Sequence, residues 1–270
     1  PPVDQLVLAL DVSASMQATD AEPTRLARAV DVARDLLASA SDQEVGLLMF
    51  AGTSYPLAPP TLDHDALSFM LDGITPNMAS AYDPGTLGSA AVLGAVALLE
   101  SPTDSLGQVG RRRIVIISDG DDGAREEELL AAVDSARAVG IDVYAIGVGT
   151  ERGSGMSMPA GPYQLGGPVT TATGARAFSR LDASSLRALA DRGGGRFAQA
   201  DADLDLGALR AEISAPPPPT EFAATDTRPA WARYDLPFVL GVTALVLLLL
   251  ESLLDASLPR LPATRTRRVA

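Results

Sequence analysis

Continuously apolar runs alternate with amphipathic ones along most of the chain. Residues 6–10 (LVLAL), 45–50 (VGLLMF), 114–117 (IVII) and 141–146 (IDVYAI) are apolar almost throughout, as strands covered on both faces must be. After the first of them, Leu26, Val30, Ala33 and Leu37 recur at i, i+4, i+7 and i+11. That spacing predicts a helix running to about Ala40, with Thr24 as its N-cap. Further helices are predicted over 63–71, 86–100, 126–139, 182–191 and 203–213. Residues 53–57 read as a short edge strand, because Pro56 cannot donate to a central ladder, and 196–198 as a last short strand. The alternation predicts an α/β fold: a doubly wound, mostly parallel six-stranded sheet with helices on both faces. Such sheets bind ligands beyond the carboxyl ends of their strands, where the strand order reverses. Residues 150–177 break the pattern. They are rich in Gly, Ser, Thr and Pro and long for a loop, so they read as either a functional flap or a disordered excursion.

A different pattern closes the chain. Residues 236–250 (LPFVLGVTALVLLLL) hold no charge, and with Leu253 and Leu254 the apolar stretch reaches 19 residues. A helix of that length spans about 28 Å, against about 30 Å for a bilayer core. Glu251 near its end costs at most about 3 kcal/mol, less than the run's Leu, Val and Phe residues contribute to insertion. Trp231 and Tyr234 precede the run where an interfacial aromatic belt would lie. Arg260, Arg265, Arg267 and Arg268 follow it with no acid among them, which is the cytoplasmic flank under the positive-inside rule. Residues 216–219 (PPPP) open a stiff spacer. The expected organisation is a globular domain over 1–214, a Pro-rich juxtamembrane linker over 215–233, one transmembrane helix over 234–255 and a basic cytoplasmic tail over 256–270. The globular domain is then extracytoplasmic, on a cell membrane. The chain opens Pro-Pro and enters a strand at once, so further N-terminal sequence, a signal or another span, is expected before it.

Length and charge narrow the function classes. At 270 residues, one domain of about 200 residues with appendages is the natural expectation. The absence of cysteine excludes disulfides, zinc–thiolate sites, iron–sulfur clusters and thiol nucleophiles. Residues 1–220 carry 29 of the 34 acids and 15 of the 21 arginines, which argues against nucleic acid as the main partner. There is no lysine, hence no phosphate-binding loop of the G-x-x-x-x-G-K-S/T type. The one histidine, His64, is expected to be a solvated residue at a helix start, which leaves no Ser-His-Asp set. Arg111, Arg112 and Arg113 are read as a solvated loop or an orienting charge at the membrane-proximal end. Asp201, Asp203 and Asp205 lack the offsets of a calcium loop and are read as acids complementing a helix N-terminus.

The candidate chemistry sits at strand ends. The first buried strand runs into Asp11-Val12-Ser13-Ala14-Ser15, a D-x-S-x-S. The fourth ends in Ser118-Asp119-Gly120, and between them Gly85-Thr86 opens a helix. Two carboxylates and three hydroxyls make an oxygen-only donor set suited to a hard divalent cation such as Mg²⁺ or Mn²⁺. An open coordination position could then take a carboxylate from a partner. Phosphatase chemistry of the D-x-D kind is disfavoured because Ser13 stands where the second acid is needed as proton donor.

With these motifs in order, residues 3–213 resemble the von Willebrand factor A family. Its metal-ion-dependent adhesion site pattern, D-x-S-x-S then Thr then Asp, falls on Asp11, Ser13, Ser15, Thr86 and Asp119. The resemblance implies that the serines and the threonine contact the metal directly or nearly so, while the aspartates act through water. More narrowly, residues 8–16 (LALDVSASM), 23–26 (PTRL), 45–52 (VGLLMFAG), 84–88 (PGTLG), 114–120 (IVIISDG) and 141–149 (IDVYAIGVG) are similar to the bacterial BatA/BatB, aerotolerance-type, MoxR-associated branch. Asp121-Asp122-Gly123 departs from the Glu and Asn run common there, and the 150–177 segment is locally divergent. The branch implies a non-enzymatic, membrane-anchored protein-binding module. Its expected partners are a protein supplying an acidic side chain to the metal, a MoxR-type AAA+ ATPase and other membrane proteins with this domain. The alternatives are a surface adhesin-like module for extracellular ligands and a scaffold whose metal is purely structural.

Overall fold

Nine residues at the start of the chain set the centre of the molecule. β1 (Val3–Asp11) is buried from Asp4 to its end, and its side chains alternate between two cores. The computed structural model describes residues 3–75, 86–100, 109–121, 126–158, 166–171, 173–201 and 203–215. In chain order the elements after β1 are α1 (Arg25–Ser39), β2 (Glu44–Phe50), β3 (Ser54–Thr61), α2 (His64–Asp72), α3 (Gly88–Glu100), β4 (Val109–Ser118), α4 (Glu126–Ala138) and β5 (Ile141–Gly147). Then come the two-residue strands β6 (Ser154–Gly155), β7 (Ser157–Met158), β8 (Gly167–Pro168) and β9 (Phe178–Ser179), followed by α5 (Ala183–Arg192), β10 (Gly194–Gln199) and α6 (Asp203–Ser214).

The main sheet has six strands in the order β10-β5-β4-β1-β2-β3. All its pairings are parallel except that of β3, which lies antiparallel on the edge beside β2. Strand order therefore reverses at β1, which has β2 on one side and β4 on the other. Leu6, Leu8, Leu10, Val115 and Ile117 face α1, α2 and α6, while Val7, Ala9, Ile114 and Ile116 face α3, α4 and α5. Each such Leu, Ile or Val contributes about 1.5–3 kcal/mol on leaving water, and neither face of the sheet tolerates a one-residue register slip.

Local chemistry fixes the element ends. Thr24 caps α1, its hydroxyl accepting from the Ala27 amide, and Asp63 and Asp182 cap α2 and α5 in the same way. β3 runs past Pro56, Pro59 and Pro60 to Thr61, four residues beyond the expected end, because an edge strand need not donate on its outer side. α3 starts two residues later than expected, at Gly88, so Thr86 precedes the helix rather than opening it. Residues 150–177 are neither one lid nor unstructured where described. They form two small antiparallel ribbons, β6 with β9 and β7 with β8, with Met156 bridged to Ala18. Among the described residues no helix is long and apolar enough to cross a membrane. The expected span over 234–255, the tail and the linker from Pro216 onward lie outside them, as do Gly85, Asp122 and Gly123.

Two surface expectations are corrected. Arg111, Arg112 and Arg113 lie within β4, not in a solvated loop. Arg113 is fully buried and pairs with Asp4 at 2.6 Å, Arg111 reaches the same carboxylate at 2.7 Å, and Arg113 also donates to the Ile213 carbonyl. This ion pair is stapled across the β1–β4 pairing at the end opposite Asp11. His64 is half-buried rather than solvated, its Nε2 3.0 Å from the Gln43 carbonyl oxygen. Removing one partner of a buried pair strands the other. Asp4→Ala is therefore expected to cost about 3–5 kcal/mol, read as a lower urea midpoint with unchanged slope. A loss within ~0.5 kcal/mol would mean that Gln43 and the Ile213 carbonyl satisfy Arg113 alone.

Candidate metal centre

The chain leaves β1 into a tight 3-10 turn, Ala14–Gln17. Asp11 Oδ1 accepts from the Ser13 amide at 2.8 Å, an Asx-type turn that folds the D-x-S-x-S back on its own carboxylate. The Oγ atoms of Ser13 and Ser15 lie 3.0 Å apart. β4 ends alongside, where Ser118 Oγ donates to Asp11 Oδ2 at 2.6 Å. The Ser15 side chain hydrogen-bonds with Asp119. Asp119 Oδ1 accepts from the Asp121 amide at 3.2 Å. Asp11, Ser13, Ser15 and Asp119 thus converge, all buried.

Thr86, the fifth predicted residue, is half-buried just before α3 and lines one small cavity with Ser118 and Gly120. The next residue ties this segment to the end of β2, the Leu87 amide donating to the Ala51 carbonyl at 2.8 Å. Gly120 has φ of 77°, and a Cβ there would lie 2.6 Å from the Asp182 carbonyl oxygen. Only glycine lets the chain turn this closely after Asp119.

Burial pushes the Asp11 carboxyl up to about 7, the charge of Asp119 adds to the rise, and the hydrogen bonds from Ser118 and Ser13 oppose it. Asp119 is also raised, by burial, against hydrogen bonds from Ser15 and the charge of Arg25. Arg25 is wholly buried. It donates from Nη1 to Asp119 Oδ2 at 2.6 Å and to Ser179 Oγ at 2.9 Å, and from Nε and Nη2 to the two oxygens of Asp20 at 2.8 and 2.9 Å. Burial works against its charge, but Asp20 and Asp119 more than compensate and hold it protonated. Asp20 likewise stays below its ordinary value although burial opposes this, because Arg25 and Thr150 donate to it. The Arg25–Asp119 bond is short and dry, yet Asp119 still rises: one guanidinium shared between two carboxylates does not offset burial.

Among the described residues Asp11, Asp20 and Asp119 gather at this pole with Asp121 beside them, and the arginine that pairs with them, Arg25, has its fork taken by Asp20. Among the described residues no three His, Asp or Glu side chains are arranged to hold a metal on their own. The donor set is mixed, two acids with neutral hydroxyls, which fits a hard cation that keeps some of its waters. Four participants were given no role from the sequence: Asp20, Arg25, Ser118 and Ser179. Arg25 had a legible signal, since it stands on the same helix face as Ala29, Val32 and Leu36, all buried. A charge on an apolar stripe needs a partner. Ser179, which approaches from a distant loop, had none.

Residues 6–121 match the family described as von Willebrand factor type A domain. A UPF0353 protein of Nocardia farcinica is 30% identical over 215 residues, covering 76% of this chain and 60% of the relative. The chain thus spans less than two thirds of the length of the curated relatives it matches. Among solved structures, an aerotolerance-related membrane protein from Bacteroides fragilis superposes with a TM-score of 0.67 at 28% identity, covering 77% of this chain and 98% of that one. BatB from Bacteroides thetaiotaomicron gives 0.65 at 28%, covering 78% and 97%. At 13% identity the fold alone is shared with proximal thread matrix protein 1 of the mussel byssus, solved with a zinc-occupied MIDAS motif (TM-score 0.52, covering 79% and 46%).

The raised Asp11 carboxyl gives a pH signature. A carboxyl that binds its proton more tightly in the folded chain stabilises the fold below about pH 4. It loses that contribution as pH rises through about 7. Cation-free protein is expected to become less stable towards urea from about pH 4 to 7, and Asp11→Asn to flatten that slope. Equal slopes in the two proteins would place the titration elsewhere. Arg25→Gln should speed amide exchange around Thr150 and Ser179, whereas unchanged exchange would show that the loop holds without it.

Proposed function

We propose that the von Willebrand factor type A domain in this chain is a cation-dependent protein-binding module whose ligands are Asp11, Ser13, Ser15, Thr86 and Asp119. The observation that carries the reading is the pairing of two fully buried carboxylates with adjacent hydroxyls at the strand-order reversal, under-compensated by one arginine. Mg²⁺ or Mn²⁺, when bound, supplies the missing positive charge and an electrophilic position for a partner's carboxylate. Ser13 and Ser15 present hydroxyl oxygens from one turn. Thr86 adds a third from the α3 side. Asp11 and Asp119, already engaged by Ser118, Ser15 and Arg25, balance the charge through water.

The module is read as non-catalytic. His64, the chain's one histidine, faces the Gln43 carbonyl at the opposite end of the sheet. The likeness to an aerotolerance-related membrane protein supports a membrane-anchored chain, and the basic flank after the apolar run at 236–250 is the reason for placing this domain outside the cytoplasm. Its proposed role, taken from the resemblance to the MoxR-associated branch, is assembling or maintaining envelope complexes with a MoxR-type AAA+ ATPase and other membrane proteins of this kind.

Titration calorimetry of the full chain with Mg²⁺ and with Mn²⁺ tests the ligand set. One site per chain is expected, lost in Asp11→Ala and weakened at least about tenfold in Thr86→Ala, while both variants unfold cooperatively. Unchanged affinity in Asp11→Ala would refute the assignment. Crosslinking in native membranes, wild type beside Thr86→Ala, then reads the partner. Envelope proteins of the same cell, captured only by wild type and released by EDTA, are expected. Capture of foreign extracellular ligands instead would make the module an adhesin, and EDTA that lowers stability without releasing any partner would make the metal structural.

A further inference from the structure

The ribbon beside the metal centre has two unlike faces. Along 176–180 burial alternates: Arg176, Phe178 and Arg180 are exposed, while Ala177 and Ser179 are buried. This is the period of two expected of extended chain, with about 13 Å between the outer arginines. The inward face is part of the centre, since Ser179 Oγ donates to Asp119 Oδ2 at 3.2 Å and receives Arg25. The outward face makes few contacts, all within the ribbons. Phe178 is 57% exposed, and two glycines on the neighbouring strand, Gly153 and Gly155, leave room for the Phe178 ring and the Arg176 guanidinium. Arg176 donates to Ser157 Oγ at 3.3 Å. Among the described residues no ion pair engages Arg152, Arg176 or Arg180.

The local charge is the reverse of its surroundings. Residues 150–181 carry Arg152, Arg176 and Arg180 against the single acid Glu151, inside a domain rich in acids. An exposed aromatic flanked by unpaired guanidiniums is the kind of surface that takes a partner's acids and an apolar residue. We propose that the outward face of 176–180, with Arg152 at its side, is a docking surface for an acidic segment of a partner protein that carries an apolar residue among its acids. This rests on the proposed function in one respect only: the same segment supplies the carboxylate for the metal centre, to which the ribbon is joined on its inward face by Ser179. The centre provides the anchor, and the arginine–phenylalanine face provides the selection.

The probe is a short fluorescein-labelled peptide with a Glu-Glu-Leu-Glu-Glu core, its control the Lys-Lys-Leu-Lys-Lys counterpart, each titrated into the full chain with Mg²⁺. The acidic peptide is expected to bind and the basic one not, with binding weakened by added salt. The Arg176→Gln/Arg180→Gln double variant should weaken it about five- to tenfold. Phe178→Ala should weaken it several-fold, and Mg²⁺ affinity should stay unchanged in both because these side chains lie on the face turned away from the centre. Equal affinity of the double variant, or equal binding of the basic peptide, overturns the surface. If Asp11→Ala and EDTA abolish binding while the arginine variants do not, the surface fails and the metal centre stands. If the arginine variants abolish it while Asp11→Ala and EDTA leave it untouched, the surface stands and the metal reading fails.

Discussion

Two carboxylates are held out of water at the carboxyl ends of β1 and β4, and the surrounding pole is organised around that cost. Neither ionises freely: burial raises both, with the charge of Asp119 adding to the rise at Asp11 and that of Asp121 to the rise at Asp119. Hydrogen bonds from Ser13, Ser15 and Ser118 relieve part of the penalty, and at Asp119 the charge of Arg25 relieves part of the rest. What is left is a deficit of positive charge in a dry place rimmed by hydroxyls. A divalent cation is the simplest group that closes it, and the same deficit explains why the chain keeps acids where a core would otherwise be apolar.

Arg25 gives this pole its reach. It issues from the first turn of α1, where the helix dipole disfavours a cation, and is retained by Asp20, Asp119 and Ser179 together. Asp20 also accepts from the amide and hydroxyl of Thr150. One guanidinium therefore joins the end of β4, the entry to α1 and both ends of the 150–180 segment. The other pole is built oppositely. There Asp4 is matched by Arg111 and Arg113 and lies against β4, so its charge is already closed and its role is to lock the two central strands in register.

The sheet was legible because its information is local. Continuous apolar runs at β1, β2, β4 and β5 announce strands buried on both faces, and Thr24 and Asp182 announce caps from side chains that can reach only the next turn. The convergence of Asp11 and Asp119, with Ser13 and Ser15, was legible for a related reason: strand ends in such a sheet come together whatever joins them, so the two acids could be brought side by side without knowing the loops. Interactions with no local signature were not legible. Arg113 reads as the last of an exposed trio until its partner Asp4, more than a hundred residues away, is seen across the β1–β4 pairing. His64 reads as solvated until the Gln43 carbonyl arrives beside it. The 150–177 segment reads as loose because its ribbons are two residues long, shorter than any hydrophobic period, and are fastened to Asp20 and Ala18 rather than to each other alone.

The central claim is that the charge deficit between β1 and β4 is filled by one divalent cation. Anomalous scattering from crystals of the chain grown with Mn²⁺ addresses it without reference to any partner. The account predicts a single strong peak about 2.1–2.3 Å from the Ser13 and Ser15 hydroxyl oxygens, with Thr86 in or near the coordination sphere and Arg25 still on Asp20. No peak at this pole, or one bound to surface acids with Asp11 and Asp119 unmoved, would contradict it.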